Sequence, residues 1–521
     1  MTGHRAGRRI GPVRSALLTA GTIAVAVAYM VIPTAAQLRS VVDNRQATGV
    51  ARSSVGGQEP PAVAALPAAP LAVLRRLPVA ETDAPPLILA YHDVSPSADR
   101  YTVTPAAFGT QMRLLAEAGY RTVTTARLLD WMAGGARLPS RSVVLTFDDG
   151  VDGIFRYADP VLAQHGLTAS TYLITGAMRD LPGYHLSWDE ARVLGASGRW
   201  TLEAHSHDAH RRIAIDKDGR TGPALTNRAW LPAAGRLETM DEYTGRITAD
   251  VAAQQADFSG HGLPAPRLFA YPFSAVDQPV NDPKIPAILR GVVRQSYAAS
   301  FVNEYGAATS TPAGVATGEL RRIEITRSTT PAGFVAAVAR GTALPRDPKV
   351  FADRTVWTAD GDRPGAAPVR GRTTLRVPAG RYVRSVLAPG RTTWWTDYQV
   401  SARIGGLDGG ADGALLGLAG TPDQIQVGVS RGWVTVRRGS GAREKMVAQR
   451  GLMPAASHRV AVTVTADGKV RAEVDGLVVL DASYPRRAGS WAAGGIGVAA
   501  SADPATAATV LVDGLRVQRL T

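Results

Sequence analysis

At 521 residues the chain is longer than one ordinary domain, and two or three are expected. Hydrophobic residues at 45% and charged residues at 20% give the balance of a globular protein, and the absence of cysteine excludes disulfides and thiolate metal sites, leaving His, Asp and Glu as the strong ligands. A formal charge of +14 favours anionic partners, but no run of Lys/Arg is interleaved with aromatics, so nucleic acid is not the expected partner.

The N-terminus carries Arg5, Arg8, Arg9 and Arg14 without an acid, followed by eighteen uncharged residues, "SALLTAGTIAVAVAYMVI". That pattern predicts an export segment over 1–36, with its basic end held inside. Eighteen residues suffice to span a bilayer, and "TAA" at 34–36 offers a cleavage point, so an uncleaved anchor and a cleaved signal are both open. Either places the remainder outside the cytoplasm, at the cell envelope. Residues 37–84 are rich in Ala, Pro and Val without a sustained period and read as a semi-extended spacer.

From residue 85 to 347 short apolar runs alternate with amphipathic segments. "PLILAYHDV" is a strand. "TPAAFGTQMRLLAEAGY" is a helix with Thr104 as N-cap, Pro105 in the first turn and Gly119 as its stop. "RTVTT", "SVVLTFDDG" and "LTASTYLIT" are further strands, and Ser187 with Glu190 forms a capping box in "SWDEARVLGASG". Glu238, Tyr243 and Ile247 mark another amphipathic helix. The recurrence argues for parallel strands with helices outside, an α/β barrel or doubly wound sheet, whose chemistry gathers at the carboxyl ends of the strands.

Asp148 and Asp149 stand at such an end, directly after "VVLTF". "WTLEA" leads into "HSHDAH", which packs His205, His207 and His210 into six positions. One carboxylate and two imidazoles on one side of an ion leave positions open for water and a substrate oxygen, as a hydrolytic zinc-type site requires.

"TFDDG", "HSHDAH" and "FAYPF" together resemble the polysaccharide deacetylases, the carbohydrate esterase family with the NodB homology domain. The resemblance covers roughly residues 86–345. It implies a distorted (β/α) barrel in which Asp148 is the general base and Asp149 a ligand of a divalent metal, zinc first, with cobalt or nickel as alternatives. "HSHDAH" is similar to the longer histidine motif of the branch that deacetylates poly-N-acetylglucosamine, which implies His205 and His210 as the other ligands, with His207 pointing away. Ser206 and Asp208 would then brace the loop and orient the imidazoles. That branch resembles a circular permutation with an active-site histidine on the N-terminal strand, so "LILAYHDVS" makes His92 the candidate general acid. Asp148 would take a proton from the attacking water and His92 would protonate the leaving amine. Tyr271, Pro272 and Phe273 would form the substrate and oxyanion segment, the Phe273 amide being the donor.

The chain also departs from the family pattern. It has Ala270-Tyr271-Pro272-Phe273 where members often show Arg-Pro-Pro-Tyr, and Ser274 replaces the usual glycine. The arginine that would orient the base is missing there, and Arg321, Arg322 and Arg327 of "LRRIEITR" are the open substitutes.

Residues 348–521 alternate apolar and polar with period two, punctuated by turns such as Ala466-Asp467-Gly468 and Asp475-Gly476. They predict an all-β sandwich and resemble concanavalin-like jelly rolls, a candidate carbohydrate-binding domain. Glu444 and Glu473 are its only glutamates and show no glycosidase-like pairing. Trp394, Trp395 and Trp433 are either sugar platforms or core aromatics.

The expected function is removal of N-acetyl groups from an extracellular N-acetylglucosamine polymer, whether poly-N-acetylglucosamine, peptidoglycan or a chitin-like chain. Two alternatives remain open: an inactive deacetylase-like matrix protein that binds carbohydrate, and a polysaccharide O-deacetylase.

Overall fold

A computed structural model describes residues 65–179, 183–303, 310–347, 350, 356–361, 371–484 and 493–520. The expected export segment at 1–36 lies outside the described residues, as does the first part of the spacer. No helix among the described residues is long and apolar enough to cross a membrane.

The end of the expected spacer is not extended. Ala68–Arg76 forms helix α1, whose Leu74 is fully buried. Arg141 Nη1 donates to the Leu74 carbonyl at 2.9 Å and Arg141 Nη2 to the Arg75 carbonyl at 2.8 Å, neutralising the helix's terminal acceptors. Leu71, Leu74 and Leu77 supply enough apolar surface to hold this short helix against the next domain, although their spacing is too brief to stand out in an Ala/Pro-rich stretch.

Among the described residues, seven parallel strands close a ring: β1 (Leu87–Tyr91), β3 (Ser142–Phe147), β4 (Ala169–Leu173), β5 (Trp200–Ala204), β6 (Leu268–Ala270), β7 (Ala299–Asn303) and β8 (Glu319–Glu324). The two-residue β2 (Arg121–Thr122) adds to the edge of β3. β1 pairs with both β3 and β8, so the N-terminal strand closes the barrel. Both faces of the ring are covered, and the strands accordingly read as apolar runs rather than strict alternation. Ile88, Val144, Tyr172, Leu268, Phe301 and Leu320 pack inside it.

The helices start where the sequence places them. Thr104 caps α2 (Pro105–Glu117) by accepting from the Ala107 N–H, and Ser187 with Glu190 closes a complete capping box on α5 (Trp188–Ala196), after α3 (Thr125–Met132) and α4 (Asp159–His165). α6 (Met240–Gly260) buries Tyr243 and Ile247 as expected. Glu238 instead precedes that helix, buried, with Arg246 Nε donating to it at 2.7 Å. α7 (Ile285–Ser296) and α8 (Pro331–Gly341) complete the outer layer.

The remainder is an antiparallel sandwich. Strands β9 (Trp357–Gly361), β11 (Tyr382–Leu387), β13 (Ala411–Ala419), β14 (Ile425–Val429), β15 (Trp433–Arg438), β16 (Lys445–Gly451) and β20 (Gly495–Ala502) make one sheet. β10 (Thr373–Val377), β12 (Tyr398–Gly405), β17 (Ser457–Val464), β18 (Lys469–Val474), β19 (Leu477–Ser483) and β21 (Ala508–Arg519) make the other. Val400, Leu415, Val427, Val462, Val498 and Val512 fill the space between the sheets. Each such side chain gains about 1.5–3 kcal/mol on burial. Arg346 ties the region to the segment before β1. Its Nη2 lies 2.6 Å from Glu81 and 3.2 Å from Asp83, and its guanidinium sits 4.8 Å from the Trp394 ring centre.

Candidate metal centre and active site

The site is built on the carboxyl ends of β1, β3, β5, β6 and β8. β3 is buried along its length and delivers Asp148, whose N–H donates to the Tyr91 carbonyl at the end of β1 at 2.9 Å. The next two residues both take left-handed backbone, Asp149 with φ 72° and Gly150 with φ 67°. A left-handed non-glycine residue costs roughly 1–2 kcal/mol, and here it turns the two adjacent carboxylates in different directions. The left-handed backbone favours glycine at 150, where a Cβ would also stand 2.8 Å from Leu173 Cδ2.

Asp148 is buried and held from both oxygens by Arg322 of β8. Nη1 lies 2.7 Å from Oδ1 and Nη2 2.6 Å from Oδ2. Arg322 is itself fixed, with Nε donating to Asn303 Oδ1 at 2.9 Å and Nη1 to Thr146 Oγ1 at 3.2 Å. Burial opposes ionisation of Asp148, but the Arg322 charge, with those of His205 and His92, outweighs it and holds the carboxyl below its usual range. Of the three open arginines, Arg322 therefore meets Asp148. Arg327 instead reaches the Ser97 carbonyl, and the Arg321 N–H donates to Ser310 Oγ at 3.1 Å.

Asp149 Oδ1 lies 3.3 Å from His205 Nε2 and 3.4 Å from His210 Nε2. Ligand atoms about 2.1 Å from one tetrahedral ion stand roughly 3.4 Å apart, so this spacing fits zinc or an ion of similar size. Asp149 Oδ1 is also buried without a hydrogen-bond partner among the described residues, as an atom reserved for a cation would be. His205 Nδ1 lies 2.7 Å from the Ala270 carbonyl at the end of β6. That acceptor fixes the proton on Nδ1 and leaves the Nε2 lone pair facing Asp149.

Charge at the site follows the same geometry. Burial raises the cost of ionising Asp149, yet His205 and the other nearby imidazoles lower its carboxyl strongly. Burial disfavours a charged His205, but Asp148 and Asp149 outweigh it and raise its pKa above the ordinary value. Burial, reinforced by His205, lowers His210 to about 4, so that imidazole is neutral and available as a ligand near neutral pH.

His207 turns away, its Nδ1 lying 2.8 Å from Asp257 Oδ2 and 3.2 Å from Thr175 Oγ1. The bracing assigned to the Ser206 and Asp208 side chains comes from elsewhere. Ser206 Oγ is buried without a partner among the described residues, and Asp208 is exposed and pairs with Arg211 at 3.0 Å. Asp250 of α6 instead receives the His207 and Asp208 N–H groups at 3.0 and 2.7 Å. Gln254, one turn on, donates to the Ser206 carbonyl at 2.8 Å and the Leu173 carbonyl at 2.9 Å. The helix periodicity around Tyr243 and Ile247 made α6 visible but gave no sign that its polar residues hold the histidine loop.

His92 follows β1. Its ring centre lies 4.8 Å from that of Tyr101, and its Nδ1 is buried without a partner among the described residues. Phe273 has left-handed backbone (φ 58°), and its half-exposed ring rests 4.5 Å from His210. Tyr271 does not reach this surface. Its ring is buried 5.2 Å from Phe269 in the core, so only its backbone remains near the turn. Ser274 Oγ accepts from the Asn303 N–H at 2.9 Å, joining the Phe273 turn to the residue that holds Arg322.

Residues 135–283, which contain Asp148, Asp149, all three clustered histidines and Phe273, match the family model for polysaccharide deacetylase. The matched segment lies within the barrel and is similar to that family. Poly-beta-1,6-N-acetyl-D-glucosamine N-deacetylase of Escherichia coli K12 is 27% identical over 202 residues, covering 36% of this chain and 30% of the relative. The protein of the same name from Staphylococcus aureus MSSA476 is 24% identical over 200 residues, covering 38% of this chain and 61% of the relative. The chain thus spans less than two thirds of the length of either. Among solved structures, a de-N-acetylase from Aggregatibacter actinomycetemcomitans is 19% identical with TM-score 0.42, covering 48% of this chain and 98% of that one. IcaB from Ammonifex degensii is 24% identical with TM-score 0.37, covering 49% and 97%. The family match at residues 135–283 lies within the barrel region, and the sandwich is outside it.

Proposed function

We propose that this chain is a metal-dependent N-deacetylase of an extracellular N-acetylglucosamine polymer, with β-1,6-linked poly-N-acetylglucosamine the first candidate. The observation that carries the reading is the meeting of Asp149, His205 and His210 beside an ionised, arginine-held Asp148. The names of the two relatives support the choice of linkage.

Asp149 Oδ1, His205 Nε2 and His210 Nε2 would hold the ion, probed first as zinc. When bound, it polarises the acetamide carbonyl and makes water easier to deprotonate. Asp148 accepts the proton of the attacking water, and Arg322 keeps that carboxylate ionised and oriented until it does. The Phe273 turn presents its backbone to the developing oxyanion, where a single donor is worth roughly 3–4 kcal/mol. His92 donates the proton that lets nitrogen leave as an amine. Acetate and a free amino sugar result. The N-terminal segment would place this reaction at the cell envelope.

The test is acetate release by the purified chain from β-1,6 and β-1,4 N-acetylglucosamine oligomers and from peptidoglycan, with chelator and with zinc restored. Turnover that is strongest on β-1,6 oligomers, stops with chelator and returns with zinc is expected. Release confined to O-acetylated substrates, or none from any oligomer by the zinc-loaded chain, would overturn the proposal.

A further inference from the structure

The sandwich carries a groove of about 680 Å³ that the deacetylase reading does not use. Ala414 of β13, Gly428 of β14 and Thr435 of β15 lie side by side in register and form a floor of small side chains. Larger residues rise around it: Tyr382 and Arg384 of β11, Asp412 of β13, Gln426 of β14, and Trp433 and Arg437 of β15. Tyr382 Oη donates to Gln426 Oε1 at 3.3 Å although β20 and β13 stand between their strands. Strands are spaced about 4.8 Å apart, so those backbones would be roughly 14 Å apart on a flat sheet. The bond requires the sheet to curl around its floor.

The lining argues for a sugar chain. Trp394 and Trp395 are buried and belong to the core, whereas Trp433 is 56% exposed and Tyr382 37% exposed. Flat aromatic faces left open to water cost apolar exposure unless something stacks on them. Around them the groove offers donors and acceptors in near balance, two arginines against Asp412 and Glu444, with Arg437 held 3.1 Å from Glu444. That balance does not suit a polyanion, and it matches a neutral chain dense in hydroxyl and amide groups. The volume falls within the range of roughly 300–1,000 Å³ typical of ligand sites.

We propose that this groove is a second glycan site. It holds N-acetylhexosamine units of a polymer chain, with Trp433 stacked on a pyranose face and the surrounding polar groups bonded to its hydroxyl and acetamide groups. The choice of polymer rests on the proposed deacetylase function, while the existence of the site rests on the groove alone.

The experiment uses the full chain. An Asp148→Asn background prevents turnover, and sedimentation with insoluble poly-N-acetylglucosamine measures binding with and without Trp433→Ala. Tyr382→Phe, which removes one hydroxyl, gives a second reading should the tryptophan variant misfold. In parallel, acetate release from an N-acetylglucosamine trisaccharide is measured in the wild type and in Trp433→Ala alone. A tenfold or greater loss of polymer affinity with unchanged trisaccharide turnover is expected. Equal polymer affinity in the folded variants would overturn the proposal, as would Trp433-dependent binding only to a polymer lacking hexosamine. If the wild type releases no acetate yet binding still depends on Trp433, the groove stands and the deacetylase reading falls.

Discussion

Replacing Arg322 with Gln isolates what holds the Asp148 carboxylate. Arg322 and Asp148 are both buried, and two contacts of 2.7 and 2.6 Å join them, so the guanidinium is the nearest countercharge in a site with little water. Removing one partner of such a pair typically costs 3–5 kcal/mol, because the remaining charge stays buried. The carboxyl should respond by taking up a proton. An opposite charge at this range lowers a carboxyl pKa, so its loss raises that of Asp148. The sign of the stability effect then reverses. In the wild type the lowered carboxyl contributes stability above its ordinary pKa, and that contribution is lost only as pH falls through the lowered value. In Arg322→Gln the raised carboxyl makes the protein lose stability as pH rises. Paired measurements are thermal unfolding and the pH profile of acetate release. The acid limb should move to higher pH, with unfolding temperature falling most at neutral to alkaline pH. A variant whose acid limb and whose stability-versus-pH curve both match the wild type would refute the assignment of Arg322 as the charge that holds Asp148 ionised.

Asp250→Ala removes the acceptor for two N–H groups of the histidine loop and should cost roughly 10–100-fold in zinc affinity or activity, measured by competition with a chromogenic chelator. Zinc binding should release protons, because in the empty site Asp148 and Asp149 raise His205 above its ordinary value. Affinity should therefore weaken as pH falls through that raised pKa, and calorimetry in two buffers of different ionisation enthalpy reads the proton count. Burial pushes Glu203 up to about 7, while its Oε2 receives the Arg267 and Leu268 N–H groups at 2.6 and 2.7 Å. Its raised pKa makes the wild type lose stability as pH climbs from about 4.5 to about 7, by roughly 3 kcal/mol. Glu203→Gln keeps an acceptor oxygen and should flatten that slope in denaturant titrations across the range.

Legibility in the sequence followed how local each signal is. The candidate metal cluster draws on adjacent residues and a six-residue loop, so the family resemblance carried by "TFDDG" and "HSHDAH" brought Asp149, His205 and His210 under one expectation. Arg322 was visible but ambiguous, and strand parity resolves it. Leu320 points into the barrel, and residues two apart on a strand share a face, so Arg322 enters the interior while Arg321 does not. The supports on α6 had no such signal. Asp250 and Gln254 lie more than forty residues beyond the loop they hold, and only the folded path of the chain brings them back to it.

The sandwich shows the same limit in another form. Strands with one wet face alternated visibly, and Asp475-Gly476, both left-handed at φ 49° and 84°, marked its hairpin. β13 did not stand out, because eight of its nine residues are buried and its Ala, Gly and Leu run carries no period. Yet this is the strand whose small residues lower the floor of the groove, and Asp412, its one exposed position, lines the wall. A pattern search keyed to alternation passes over such a strand because two-sided burial removes the polar half of the signal. The feature that hid β13 in the sequence is therefore the one that makes room for a ligand beside Trp433.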